Sequence, residues 1–473
     1  MLFNSYIFLG LVLPVSLAGF ALCGRAGRAA AAGWLLLASL VFSGWWNIAF
    51  VPVLLVSIAL NFAASRLLPR HPLILPAAIA ANLAALGWYK YLAALLGFVR
   101  LHGGPDIAFA EPALPLGISF FTFTQIGFLL DCHAGLTRRR GLTDYALFVT
   151  FFPHLIAGPV LGPRDMPDSP WRLSGADICA GAGFFLIGLL KKTLLADPVS
   201  TLAAPGFAHP ETMTLLPAWR SALAWSLQLY FDFSGYSDMA IGLARLFGVR
   251  FPDNFNSPYK ASSAIDYWQR WHISLTRFLM STVHAPVTMA IMRRRRARGQ
   301  SVGREAQRTP VGFCAMLALP IAVTMGLAGI WHGAGLTFVV FGLLHAGFLI
   351  ANHAWRLFGG PNPGLIPSIA LTYLCVLTGA VIFRAASMTD AGLLLAAMAG
   401  ARGIDLVPGP RGAIDCLWLA GLYGIVWFTP NTSQIMAPPH YRPTISWAAA
   451  FGAAAALGLL SLGGTGEFLY FQF

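Results

Sequence analysis

Residues 325–353 read MGLAGIWHGAGLTFVVFGLLHAGFLIANH. The stretch is apolar enough for a bilayer, yet it holds His332, His345 and His353. An ionisable side chain at membrane depth is costly unless it is paired or has a function. A neutral imidazole can both accept and donate a proton near pH 7. Gly326, Gly329, Gly333, Gly335 and Gly342 permit close helix approach or a local break. Gly333 and Gly335 leave room for a substrate beside His332. On one helix, at about 100° per residue, His332 and His345 point roughly 140° apart and need not share a site. A histidine in an apolar helix is more often a satisfied core residue than a reactive one. On residue type alone both readings stand for His332.

The rest of the chain has the same character. Of 473 residues 57% are hydrophobic and 10% charged, with mean hydropathy +0.68. Soluble domains carry about a quarter charged residues. Long uncharged runs indicate spanning helices, because barrel strands would alternate apolar and polar. The expected fold is therefore an all-α integral membrane bundle of about a dozen transmembrane helices, some re-entrant or interrupted. The net charge is +13, from 31 Lys and Arg against 18 Asp and Glu. These cations sit in short loops between apolar runs, the positive-inside pattern. No basic stripe with interleaved aromatics points to nucleic acid. The cysteines at 23, 132, 179, 314, 375 and 416 have no CxxC spacing and read as small apolar residues. Cys132-His133 has no partner cluster, so no metal is expected.

The first residues, MLFNSYIFLGLVLPVSLAGFALC, lack a basic region and a cleavage site, and read as a retained first span. Further runs lie near 30–46, 50–64, 73–99 and 114–130. With Arg25 and Arg28 cytoplasmic, Arg66, Arg70, Arg138, Arg139 and Arg140 fall on the same side. The loop with Asp106 and Glu111, and the N-terminus, then lie outside. FFPHLIAGPVLGPRDMP at 151–167 reads as a broken segment. A run at 176–190 is ended by Lys191-Lys192, and one at 216–247 is interrupted by FDFSGYSD. Arg293, Arg294, Arg295, Arg296, Arg298, Arg304 and Arg308 form the strongest basic loop, assigned to the cytoplasm. Runs near 311–331, 336–355, 365–383, 414–428 and 445–462 finish the chain.

Two more polar constellations interrupt this apolar text. Residues 230–238, YFDFSGYSD, place Asp232, Ser234, Tyr236, Ser237 and Asp238 close together, with Asp232 and Tyr236 on one helical face. They read as a structural knot bonded to Tyr, Ser or Arg245, or as a channel lining. Residues 254–274 read NFNSPYKASSAIDYWQRWHIS. Asn254, Asn256, Ser257 and Pro258 form a turn, and Ser262 or Ser263 caps a helix starting near Ala264. Asp266 and Arg270 make an i, i+4 pair, with Trp268 and Trp271 on one side. An interfacial amphipathic helix accounts for the Trp and Arg residues, and less well for His272. There is no GxSxG, HExxH, Walker lysine or GxGxxG.

Five segments together carry a resemblance. They are PLGISFFTFTQIGFLLD at 115–131, FPHLIAGPVLGP at 152–163, FDFSGYSDMAIGLARLFGVRFPDNFNSPY at 231–259, YWQRWHISLTRFL at 267–279 and GLAGIWHGAGLTFVVFGLLHA at 326–346. The chain resembles the membrane-bound O-acyltransferase family, and within it the bacterial branch of alginate O-acetyltransferases. The MLFNSYIFL start and FLYFQF end resemble that branch too. The resemblance implies one membrane domain over 1–473, with N-terminal helices at 1–140, a catalytic core at 141–360 and C-terminal helices at 361–473. His332 of the WHG motif would be catalytic in a central membrane tunnel, supported by His272 of the WHIS motif. Trp331, Asp232, Ser234, Tyr236, Asp238, Asn254, Asn256, Trp268, Arg270, Trp271 and His345 would line or support it, with His345 structural and His353 interfacial.

The implied donor is cytosolic acetyl-CoA, with no permanently bound cofactor. The acyl group would pass to a polysaccharide hydroxyl directly or through an extracytoplasmic acetyltransferase partner. The chain would sit among the lipids of a bacterial inner membrane as a multi-pass protein. A hydroxyl needs a base as it attacks a thioester, and His332 can be that base. The arginine-rich loops either attract CoA phosphates or serve topology alone. Residues 280–300, MSTVHAPVTMAIMRRRRARGQ, depart from the branch, which continues there with an Arg-Asp-Tyr segment and a Pro-Leu-Gly-Gly turn. That departure leaves the acceptor open, with peptidoglycan, teichoic acid or a lipid as alternatives. From other classes, a proton-coupled transporter and an inactive docking scaffold remain, although no internal repeat supports transport.

Overall fold

Backbone N–H and C=O groups in hydrocarbon must bond within the chain, which a helix achieves residue by residue. Every regular element among the described residues is helical. The computed structural model describes all residues except 108, 111, 138, 139, 157, 167–173, 406, 408, 463–468 and 470–473. Glu111, Arg138, Arg139, Ala157 and most of the C-terminal FLYFQF thus lie outside the described residues.

Among the described residues seven helices are long and apolar enough to cross a membrane: Phe8–Ala26, Arg28–Trp46, Phe50–Leu67, Gly175–Ala208, Pro310–His332, Leu336–Leu357 and Leu365–Arg384. Ile74–Lys90 and Leu92–Leu101, bent by 62°, add an eighth if they form one span. Large apolar side chains such as Leu60 (64% exposed) and Leu371 (62%) point outward, as a lipid-facing surface requires. The expected break near Pro153 is present. Leu142–Thr150 ends at Phe151 and a four-residue helix, Phe152–Leu155, begins anew with Pro153 in its first turn.

The polar residues FDFSGYSD lie inside one continuous helix of 32 residues, Leu215–Leu246, as the shared helical face of Asp232 and Tyr236 requires. One expectation from the sequence fails: Lys191-Lys192 does not end its helix, which continues through them as a π-helical turn, Lys191–Ala196. The cause is tertiary. Lys191 Nζ lies 2.7 Å from Asp238 Oδ2, so each charge compensates the other. Gly188 and Gly235 let the two helices meet, since a Cβ on Gly235 would stand 2.8 Å from the Gly188 carbonyl oxygen.

The chain forms two compact units. One comprises residues 1–193, 233–253 and 432–464. Its core is aromatic, with ring centroids 5.1 Å apart for Phe3–Phe8, 5.5 Å for Phe42–Phe152 and 5.7 Å for Phe152–Phe247. The other comprises residues 194–232, 254–431 and 465–473. Ala218, Ala222, Leu377, Val381, Leu394 and Ala397 form an apolar cluster there. Trp225 Nε1 donates to the Ala380 carbonyl at 2.9 Å. Tyr259 donates to the Ser226 carbonyl at 2.7 Å, and the Ser226 hydroxyl bonds Tyr373 and Tyr423 at 2.6 and 2.7 Å. These bonds pin the start of the 254–272 segment to the Leu215–Leu246 helix.

Candidate active site

His332 is the last residue of the helix Leu319–His332. Gly333 is extended (φ −173°, ψ 169°), and a new helix starts at Leu336. The opening stretch is therefore a helical hairpin, and the 140° separation expected for His332 and His345 on one helix does not apply. Close approach of its arms depends on two glycines. A Cβ on Gly329 would meet the Phe338 carbonyl oxygen at 2.3 Å, and one on Gly342 would meet that of Met325 at 2.4 Å. His332 is buried, with its ring centroid 4.7 Å from Trp331, 5.1 Å from Phe383 and 5.8 Å from Phe341.

His272 packs on the same indole, 6.2 Å from Trp331. It is fully buried and holds a left-handed backbone (φ 44°), unusual for a residue with a side chain. Asn254 fixes this turn. Its carbonyl accepts from Ile273 N–H at 3.0 Å. Its side-chain Oδ1 accepts from Ser274 N–H at 3.3 Å and from the Ser274 hydroxyl at 2.8 Å, and lies 3.0 Å from His272 Nδ1. A backbone N–H can only donate, so the atom facing it is the amide oxygen. Nδ1 of His272 must then carry the proton, which leaves Nε2 with its lone pair. The turn lies outside the apolar spans, and burial lowers the His272 imidazole from its ordinary value to about 3. The ring is neutral at physiological pH.

Asn254, His272, Trp331 and His332 are thus brought into one cluster. His345 occupies a neighbouring nest, 5.3 Å from Trp268 and 4.6 Å from Phe341. A Cβ on Gly379 would stand 2.5 Å from His345 Nε2, so that glycine makes room for the ring. Asn256, Arg270 and Trp271 shape the turn. Arg270 pairs with Asp266 at 2.6 Å, Asn256 N–H donates to the Arg270 carbonyl at 2.9 Å, and Trp271 packs edge-on to Phe255 at 5.0 Å. Ser263 is the helix cap, accepting from Asp266 N–H at 3.1 Å.

Residues 230–238 are held by contacts of their own. Asp232 accepts from Leu469 N–H at 3.1 Å. Ser234, Tyr236 and Asp238 belong to the first unit. There Ser234 is buried, Tyr236 stacks on Phe3 at 4.8 Å, and Asp238 bonds Lys191 and Thr432 at 2.7 and 2.6 Å. Arg245, expected as a knot partner, faces Asp177 instead at 3.5 Å. Sequence reasoning did not single out Phe341, Phe383 or Ser274. Only Ser274 had a signal, as the serine of the WHIS motif two residues past His272.

The family model of the membrane-bound O-acyltransferase family matches residues 116–303, a stretch that includes His272 and stops short of His332. The chain is 33% identical over 448 residues to the peptidoglycan O-acetyltransferase of Helicobacter pylori, covering 86% of this chain and 81% of that protein. It is 35% identical over 415 residues to the probable alginate O-acetylase AlgI of Pseudomonas syringae pv. tomato, covering 84% and 75%. For the protein of that name from Pseudomonas aeruginosa the identity is 36% over 414 residues, covering 84% and 75%.

Proposed function

The chain belongs to the membrane-bound O-acyltransferase family and is an acyltransferase; we propose that it moves an acetyl group from cytosolic acetyl-CoA onto a hydroxyl of an exported polysaccharide. The observation that carries the site assignment is that His332 and a neutral, orientation-locked His272 both pack against Trp331. His332 takes the hydroxyl proton as the oxygen attacks the thioester carbonyl. The tetrahedral intermediate collapses, the C–S bond breaks, and the thiolate leaves with the proton returned by the imidazolium. The products are an acetyl ester and free CoA. Aromatic walls from Trp331, Phe341 and Phe383 exclude water, which would otherwise hydrolyse the thioester.

An alginate-like polysaccharide is the first acceptor because several relatives carry alginate O-acetylase in their names. Peptidoglycan is the second, because a relative of similar identity is named for it. An extracytoplasmic partner acetyltransferase would finish the transfer, and the membrane would be the bacterial inner membrane. Every one of these names describes acyl transfer, which favours transfer over transport. The test is His332→Ala in inverted membrane vesicles given radiolabelled acetyl-CoA. Label transfer should fall by about 100-fold or more, the scale of losing a general base. Undiminished transfer at equal protein level would remove His332 from the chemistry.

A further inference from the structure

Arg384 ends the span Leu365–Arg384, and the residue before it, Phe383, packs edge-on against His332. The Arg384 guanidinium is half-buried, 4.3 Å from the Trp225 ring centroid and 4.9 Å from that of Phe207. Its Nη1 donates to Gln228 Oε1 at 3.3 Å. Among the described residues no carboxylate lies within ion-pair distance of it. Two other partly buried arginines of the same unit are neutralised: Arg220 by Asp415 at 3.0 Å and Arg270 by Asp266 at 2.6 Å. A helix C-terminus favours a cation, but that does not account for an aromatic cradle. The cradle is stiff, because Trp225 is fully buried and bonded to the Ala380 carbonyl. Cation–π contacts offset desolvation without supplying an anion, and the planar fork keeps N–H donors for one.

Position adds a direction. The basic loop at 293–308 precedes Pro310–His332; Leu336–Leu357 returns, and Leu365–Arg384 runs out again. His332 and Arg384 therefore sit at corresponding span ends, away from that loop. We propose that Arg384, oriented by Gln228, Trp225 and Phe207, binds an anionic oxygen group of a substrate beside the His332 site. The group is an acceptor carboxylate, as on a uronic-acid polymer, or a phosphate of the CoA donor; the position favours the carboxylate. A planar fork matches two carboxylate oxygens at once. This inference rests on the acyl-transfer reading and names the substrate chemistry that reading leaves open.

The test is calorimetric titration of the full chain in lipid nanodiscs with oligomannuronate, its carboxyl-reduced neutral counterpart, and acetyl-CoA. The unmodified protein should bind oligomannuronate at least about ten-fold more tightly than the neutral oligosaccharide, the scale of a charge-assisted pair. Arg384→Gln should remove that preference and leave acetyl-CoA affinity unchanged. A loss confined to acetyl-CoA would instead identify the donor phosphate as the anion. Unchanged affinity for both ligands in Arg384→Gln overturns the proposal, as does a protein that binds neither anionic ligand. Should Arg384→Gln not yield monodisperse protein, Arg384→Lys keeps the charge without the fork and should show the same ranking, less steeply. Binding does not need turnover, so the titration repeated in His332→Ala separates the two claims. Persistent acyl transfer in that variant sinks the catalytic reading, whereas the Arg384 result stands or falls on affinity.

Discussion

Asn254 gives His272 both its place and its tautomer. Three donors converge on its side-chain oxygen: His272 Nδ1, Ser274 N–H and the Ser274 hydroxyl. In Asn254→Ala each stranded buried donor costs about 1–3 kcal/mol, and the imidazole is free to change tautomer. Acetyl transfer in membrane vesicles should fall by about ten- to a hundred-fold at equal protein level. An unchanged rate would leave His272 a structural residue. The proton balance also has a definite sign. Burial holds His272 near 3 in the fold against 6.5 unfolded, so it contributes no charge change at neutral pH. Below pH 6.5 the unfolded chain takes the proton first, so this residue's stability contribution is lost as pH falls toward 3. In His272→Gln, the melting temperature should depend less on pH across that window than in the unmodified protein, as read by fluorescence-detected thermal melts. An identical pH dependence would contradict this assignment. His332 and His272 were legible in the sequence as motif members. Their shared contact on Trp331 was not, because motif text carries no distance.

At the scale of elements, two glycine pairs act where helices meet. Gly329 and Gly342 join the arms of the hairpin that carries His332. A side chain there collides with backbone, not with a movable side-chain tip, so Gly342→Val should cost about 1–3 kcal/mol or more. The expected readout is a clear fall in thermal melting temperature in detergent; an unchanged melt would mean the arms do not pack this closely. Gly188 and Gly235 serve the Lys191–Asp238 pairing in the same way. Lys191→Ala strands a buried carboxylate, a loss of about 3–5 kcal/mol for pairs of this kind. Lys191→Met combined with Asp238→Leu should recover much of that stability in the same melt. If Lys191→Ala melts normally, the pair does not hold the helices. The sequence places these glycines within apolar runs and permits either a break or a close approach. Gly333 proves to be the break and Gly329 the approach. Local text cannot choose, because the choice depends on what the opposing helix presents.

For the whole molecule, the arrangement of cations makes a topological prediction. With the six native cysteines replaced, Ser301→Cys and Ala386→Cys, both at exposed positions, should react with a membrane-impermeant maleimide from opposite sides. Ser301→Cys should label in inverted vesicles and Ala386→Cys in intact cells. Labelling of both from one side would reverse the placing of His332 and Arg384 relative to the basic loop. By itself the sequence determined that this is an all-helical membrane acyltransferase, because long apolar runs leave the helix as the only satisfied backbone and the motifs are specific together. It also singled out His332 as the candidate catalytic residue. Only the tertiary structure decided which polar groups meet: His272 rather than His345 beside Trp331, Lys191 rather than Arg245 against Asp238, and Arg384 between the Trp225 and Phe207 rings. The physical reason is that periodicity specifies which face of a helix is buried, whereas the partner of a buried charge is chosen by another helix, often far away in the chain.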